Sequence, residues 1–458
     1  MTNAPIGSAS DTQAGETLPK VAWGKGIYVY DTAGKRYIDA SGGPVVYCLG
    51  HGNEEVNAAI ASQLGRIAHG YRYSFTSDPL EELSELVAAA CGSGLEHMVF
   101  VSGGSEAVES ALKLALQYHS ARGQQSKRRF ISRRRSWHGN TLGALAVSDF
   151  LERRAPFEGA LTEASFLLAV NAYRPPAGVP AADLSRHCVA ELEAEILKVG
   201  PDKVAAFIFE PVVGAAGGAV PAPAGYAAGI RKVCDQYGIL MIADEVMCGS
   251  GRCGTWRALE HDGVVPDIMA VAKGLGGGYL PLGAAIYHRS VSDVIRTRYG
   301  GPLTGHTFSG HTASCAAGVA VQRIVKREGL IERVNSNGPI FLDMLRNELR
   351  TVEAVGDIRG RGFLIGVEFV ANRDTKQPFD SSVQVASRIG RAAAGDGLLC
   401  YPSMGNVDGI RGDTVILAPP YNTTQDQLQQ IAELFAHSVR RALDEVAALA
   451  SANSHVKV

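Results

Sequence analysis

The sequence predicts an α/β protein: a large domain with a mostly parallel mixed sheet flanked by helices, and a smaller α+β domain drawn from the N- and C-terminal segments. Three observations point there. Between residues 60 and 315, stretches of helical periodicity alternate with short apolar runs, the pattern of βαβ units whose sheet is covered on both faces. From 316 to 458 the order changes to a long helical stretch, a strand pair, a helix, a strand and a closing helix. A chain of 458 residues also exceeds the usual size of one domain.

The elements follow in order. Residues 1–20 are small and polar and read as a flexible lead. Within 21–59, "GIYVYDTAGKRYIDA" reads as two short strands around Gly34, placed to join the small domain. The large domain, 60–315, begins with a helix in "SDPLEELSELVAAACGSG", a strand "HMVFVSGG", a helix "SEAVESALKLALQYHSA" and a strand "RRFISRRRSWHG". It continues with helix "ELEAEILKVG", strand "VAAFIFEPVVG", helix "PAGYAAGIRKVCDQYG", strand "ILMIADEV" and strand-into-loop "PDIMAVAKGLGGG". Helical "GVAVQRIVKREGLIERV" then leads to the strand pair "IRGRGFLIGVEFV", helix "SSVQVASRIGRAAAGDG", strand "TVILAPP" and helix "LQQIAELFAHSVRRALDEV".

Composition narrows the function classes. With 46% hydrophobic and 20% charged residues and a formal net charge of -2, nothing favours nucleic acid or an anionic membrane as partner. The start lacks a basic and then apolar signal, no segment stays apolar long enough to span a bilayer, and a cytoplasmic protein is expected. The eight cysteines are scattered without a C-x-x-C pair, so packed, reduced thiols are expected and no metal site. The basic run "KRRFISRRRS" lacks interleaved aromatics and reads as a solvated strand edge blunted by charge.

Three features carry chemistry. Asp244 ends the apolar run "ILMIAD", and carboxylates are seldom buried unless paired, whereas the crevice of an open parallel sheet lies at strand carboxyl ends. It is a paired structural acid or a site acid awaiting a cation. Lys273 ends another apolar run before a glycine-rich loop. Such a lysine is ordinarily solvated, but desolvated in the same crevice it serves as a Schiff-base nucleophile. "SGGSEAVESALKL" opens a helix directly after a strand, so the N–H groups of Gly104, Ser105 and the first turn form an anion site. Ordinary capping by Ser105 and Glu106 is the alternative. An anion cradle, an acid for a cationic ring nitrogen and an imine-forming lysine are together what pyridoxal phosphate requires.

At this point the sequence resembles the class III aminotransferases, pyridoxal-phosphate enzymes of fold type I. "SGGSEAVESALKL", "SWHGNTLGALAVS", "FEPVVGAAGG", "ADEVMCGSGRCG", "DIMAVAKGLGGGYLPLGA" and "GHTFSGHTASCAAG" stand in the family's order and spacing. The resemblance implies that Lys273 binds the cofactor aldehyde and later moves the substrate proton, and that Asp244 pairs with the pyridine N–H. It implies that Val246 faces the ring opposite Trp137, where the family usually has Tyr or Phe, with His138 beside it in the cofactor site. Gly104 and Ser105 would hold the phosphate, joined by Thr307 from a neighbouring subunit, which makes the expected enzyme a homodimer with its site at the interface and possibly a tetramer. For Thr307 the alternative is a turn hydroxyl capping Ser309. Glu210 would lie near the cofactor's O3′ side or pair with a local cation.

Relatives acting on α-carboxylates carry an arginine before "PP", and the matching position here is Ile416. The resemblance to amine and ω-amino acid:pyruvate transaminases makes Arg411 the candidate mobile carboxylate binder. Val45, where relatives often have an aromatic, would leave room for a bulkier donor, with Tyr47, Tyr73 and Trp137 as further walls. The expected activity is a ping-pong transamination from an amine or ω-amino acid to a 2-oxo acid, pyruvate first among them. The rivals are an aminomutase or dialkylglycine-decarboxylase-like enzyme of the same fold, and a non-catalytic binding module. Retention of Lys273 and Asp244 together speaks against the module.

Overall fold

Seven strands pair in the order Leu95–Val101, Gly283–His288, Ile268–Val271, Leu240–Asp244, Val204–Phe209, Arg129–Arg133, Ala164–Leu167 in the computed structural model, which describes residues 18–455. The expected flexible lead falls mostly outside the described residues. Neighbouring strands run parallel except Gly283–His288, which is antiparallel to both its neighbours. Val204–Phe209 and Leu240–Asp244 are buried along their whole length, as strands covered by helices on both faces must be, and this explains their unbroken apolar runs. The sequence reading missed Gly283–His288 because "GAAIYH" is half small residues, which have little β propensity. The smallness has a cause: a Cβ on Gly283 would stand 2.8 Å from the Gly103 carbonyl oxygen.

Beyond this sheet the chain builds a second, antiparallel one in the order Val355–Arg361, Leu364–Phe369, Asp413–Leu417, Tyr401–Met404. It packs on helices Leu330–Leu349, Val385–Asp396 and Gln425–His455 around a core that includes Phe341, Phe363, Phe369 and Phe435. The long helical stretch breaks at Gly329 (φ +59) into Thr312–Arg327 and Leu330–Leu349, a left-handed turn that glycine accepts without a Cβ penalty. The N-terminal strands Val21–Lys25, Tyr28–Asp31 and Arg36–Asp39 return to this region, because Leu398–Leu399 pairs in parallel with Ile38 and Asp39. All eight cysteines are free and seven are buried. Among the described residues no helix is long and apolar enough to cross a membrane.

The basic run departs from its expected place. Arg129–Arg133 is an interior strand, and Ala164–Leu167 holds the edge. Arg133 is buried, and Arg135 is buried against Asp149. Lys127 is buried too, its ammonium donating to the carbonyls of Pro201, Val204, Tyr237 and Gly238 at 2.8 to 3.3 Å. Two of those carbonyls close the helix Tyr226–Tyr237, where a cation also meets the negative end of the helix dipole. Lys127→Met strips four buried acceptors of their donor, and a loss of at least ~2 kcal/mol is expected in urea unfolding. Arg128→Ala, on an exposed neighbour, should stay within about 0.5 kcal/mol of wild type.

Candidate active site

Register brings the charged strand ends together. Ala243 stands beside Phe209 and Asp244 beside Ala270, so Glu210, Asp244 and Lys273 all emerge at the carboxyl edge of adjacent parallel strands, where a crevice forms. Asp244 is buried, and its Oδ2 lies 2.7 Å from His138 Nδ1 while Oδ1 accepts from Val246 N at 3.0 Å. His138 is held in turn: Nε2 lies 3.3 Å from Ser132 Oγ, and its amide donates to Ser148 Oγ at 2.8 Å. These contacts favour the tautomer with the proton on Nδ1, pointing at the carboxylate. Asp244 is therefore a paired acid, as one sequence-based alternative allowed, with its partner supplied by "SWHG".

Lys273 sits at φ +47, a left-handed backbone that a lysine rarely adopts. The residue is half-buried, and its ammonium has no hydrogen-bond or ion-pair partner among the described residues. Burial pushes its pKa down to about 8 even though Asp244 and Glu210 pull it back up. Glu210 is buried, and burial raises its pKa, with the Asp244 carboxylate adding to the rise. Its Oε1 accepts from Trp137 N at 3.0 Å and its Oε2 from Gly214 N at 2.8 Å. No local cation pairs with this carboxylate among the described residues: Arg133 donates to the Glu210 carbonyl, at 2.5 Å, leaving the carboxylate to backbone amides. The neighbouring acid, Glu245, belongs to the fold rather than the crevice: buried, it accepts from the amides of Ala258 and Leu259.

The glycines do precede a helix start. Helix Gly104–Ala121 starts with no side-chain cap, so its first-turn amides lack intrahelical partners. Nothing lies within 4 Å of where a Cβ on Gly103 would point, whereas one on Gly104 would come within 2.8 Å of Val246. Gly139 (φ +140) closes against Ser105, whose Oγ accepts from Asn140 N at 3.0 Å. Ser105 thus does not cap its own helix, whereas Glu106, the other residue of the capping alternative, does reach back to accept from the Ser102 amide at 2.7 Å. An open, uncapped helix start, a buried acid and a partnerless lysine at one sheet edge are the donor set that pyridoxal phosphate requires.

The remaining candidates scatter. Trp137 is half-buried, edge-on to Phe150 at 5.7 Å. Val45 does not open a pocket: at φ +66 it turns into an apolar cluster with Val212, Met247 and Ile416 and is only 2% exposed. Tyr47 is half-buried, with its ring against Gly278. Tyr73 is 73% exposed, stacked by Arg72 at 4.7 Å, and shares a surface hollow with Ser102, Glu106 and Thr307 rather than with Lys273. Thr307 is exposed and does not cap Ser309; the Ser309 hydroxyl accepts from His306 N at 2.9 Å. Arg411 is exposed on the loop before Asp413–Leu417 and pairs with Asp408 at 2.6 Å. Sequence reasoning missed Ser132 and Ser148, which hold His138, and Glu109, whose carboxylate accepts from Thr141 Oγ1 at 2.7 Å and Ala144 N at 3.1 Å. No spacing rule signals them, since each acts across elements.

Comparison with known proteins gives the family. The family model described as "Aminotransferase class-III" matches residues 9–439. The chain is 38% identical over 421 residues to the aminotransferase YodT of Bacillus subtilis, covering 92% of this chain and 95% of that one. It is 33% identical over 433 residues to diaminobutyrate–2-oxoglutarate transaminase of Halomonas elongata, covering 93% and 90%. Its fold is similar to that of an amine transaminase from an uncultivated Pseudomonas species in its PLP-bound form, with TM-score 0.88 at 33% identity, over 97% of this chain and 98% of that one.

The lowered lysine pKa has a measurable consequence. Only the neutral amine attacks an aldehyde, so capture of added pyridoxal phosphate by cofactor-free protein, trapped with borohydride and followed by mass, should accelerate with pH and level off near about 8. A rate still climbing toward the ordinary lysine value of 10.5 would mean that burial does not depress this amine.

Proposed function

This chain belongs to the class III aminotransferases, pyridoxal-phosphate enzymes of fold type I, and from that premise we propose that it moves an amino group from an amine or ω-amino acid to pyruvate by a ping-pong mechanism. The observation that carries the reading is the convergence of Lys273, the Asp244–His138 pair and the uncapped Gly104–Ser105 helix start at one sheet edge.

When bound, pyridoxal phosphate supplies a carbonyl that exchanges amino groups and a ring that accepts the electron pair left when the donor's Cα–H bond breaks. The first-turn amides and Ser105 would hold its phosphate, Asp244 its ring nitrogen, and Trp137 and Val246 its two faces. Asp244, its oxygens already oriented by His138 Nδ1 and Val246 N, would keep a proton on that nitrogen. Lys273 Nζ, with a pKa near about 8, is poised both to give up and to take the proton that leaves donor Cα. Glu210, fixed by two amides, holds the Trp137 backbone in place. Ile416 is buried where relatives specific for α-carboxylates carry an arginine, which favours a small acceptor whose one carboxylate is met by Arg411. Thr307 and the exposed Tyr71, Tyr73 and Phe308 beside the cradle are the face that a second copy would cover, completing the phosphate site.

Two experiments test this. Adding donor amine without oxo acid should bleach the yellow cofactor band, and pyruvate should restore it; Lys273→Ala should do neither at a measurable rate, and Arg411→Ala should need about tenfold more pyruvate. Co-expressing Lys273→Ala with Thr307→Glu, each inactive alone, should regain roughly a quarter of wild-type activity by random pairing of subunits. No regain would place Thr307 outside a shared site.

A further inference from the structure

Beside Trp137 lies a cation without a counter-ion. The Arg153 guanidinium is 4.8 Å from the Trp137 ring centroid and 5.1 Å from that of Phe150. It is half-buried and forms no ion pair among the described residues. The acids around it are engaged elsewhere. Asp149 accepts from the Arg135 amide at 3.0 Å and pairs with its guanidinium at 3.4 Å, and Glu158 pairs with Arg154 at 3.5 Å. Glu152, next in sequence, makes no ion pair with Arg153.

The loop carrying Arg411 adjoins this spot, since Gly409 abuts both Leu151 and Arg135. Arg153 thus borders Trp137, the loop of Arg411 passes nearby, and the two arginines differ. Arg411 is held by Asp408 at 2.6 Å and must leave that partner to meet an anion. Arg153 has no partner to leave. A guanidinium fixed on two aromatic faces has lost little further freedom when it binds, and its open N–H fork matches a carboxylate.

Resting on the transaminase reading above, we infer that Arg153 binds a carboxylate at the far end of the donor, so that linear ω-amino acids rather than plain alkylamines are the preferred donor class. Bleaching of the cofactor band without oxo acid isolates the donor step, so any effect on the acceptor stays out of the measurement.

The test pairs ω-amino acids from β-alanine to ω-aminocaproate with alkylamines of the same length, on the holoenzyme. Wild type should favour the amino acid at one or more lengths. In Arg153→Gln that preference should fall by about tenfold or more, the scale of one charge-assisted hydrogen bond, and Arg153→Lys should keep an intermediate preference. Equal loss on both members of each pair would show that Arg153 only braces Trp137 and would overturn the assignment, as would a wild type favouring the alkylamines throughout. A wild type that reacts with neither series overturns the transaminase reading itself.

Discussion

The contact between His138 Nδ1 and Asp244 Oδ2, at 2.7 Å with both side chains almost wholly out of water, is the interaction on which the crevice depends. A lone buried carboxylate would cost several kcal/mol and take up a proton instead. Here it is one link in a chain from Ser132 through His138 and Asp244 to the Val246 amide. Ser132 lies on Arg129–Arg133 and Asp244 on Leu240–Asp244, with Val204–Phe209 between them. The chain of hydrogen bonds therefore bridges over a strand, and Glu210, which follows that middle strand, closes the arrangement by taking the Trp137 amide. Three strand ends are held in one geometry before any ligand arrives, the kind of preorganisation that electrostatic catalysis needs.

Much of this was legible in the residues. The apolar runs ending in Asp244 and Lys273 marked buried parallel strands, and the glycines before Ser105 marked a helix start. What stayed hidden had physical reasons. Gly283–His288 carries too many small residues to look like a strand, because its backbone must pass Gly103 closely. Glu54–Arg66 and Arg289–Tyr299 also went unread. The arginines of the basic run looked solvated, since sequence does not tell that Arg133 meets a carbonyl and two rings or that Arg135 is buried against Asp149. Val45 was misplaced because a positive φ turns it away from the direction its neighbours suggest.

Two buried cations, Lys127 and Arg252, share a design. Lys127 is met by four carbonyls, and Arg252 donates to the carbonyls of Phe363, Pro419 and Tyr47 while lying 4.7 Å from the Tyr421 ring centre. Neither leans on a carboxylate. Carbonyl clusters satisfy a charge without a second desolvated ion, which avoids the larger penalty of a buried pair. Arg252 in particular ties the N-terminal segment and two C-terminal loops to the stretch that follows Asp244, so the smaller antiparallel sheet is anchored directly to the crevice.

The parallel pairing of Leu398–Leu399 with Ile38 and Asp39 has a consequence for how the chain is made. On a ribosome the first strands emerge early, but their partner is synthesised only after the whole seven-stranded sheet has left the exit tunnel. The side chain of Asp39 does not share this wait, since its carboxylate takes the Gly42 amide at 2.7 Å and faces His51 at 3.0 Å, both close in sequence. Until residue 399 arrives, the N-terminal ribbon keeps an open edge through most of translation. It is a small sheet of charged and aromatic residues whose final seam closes nearly last.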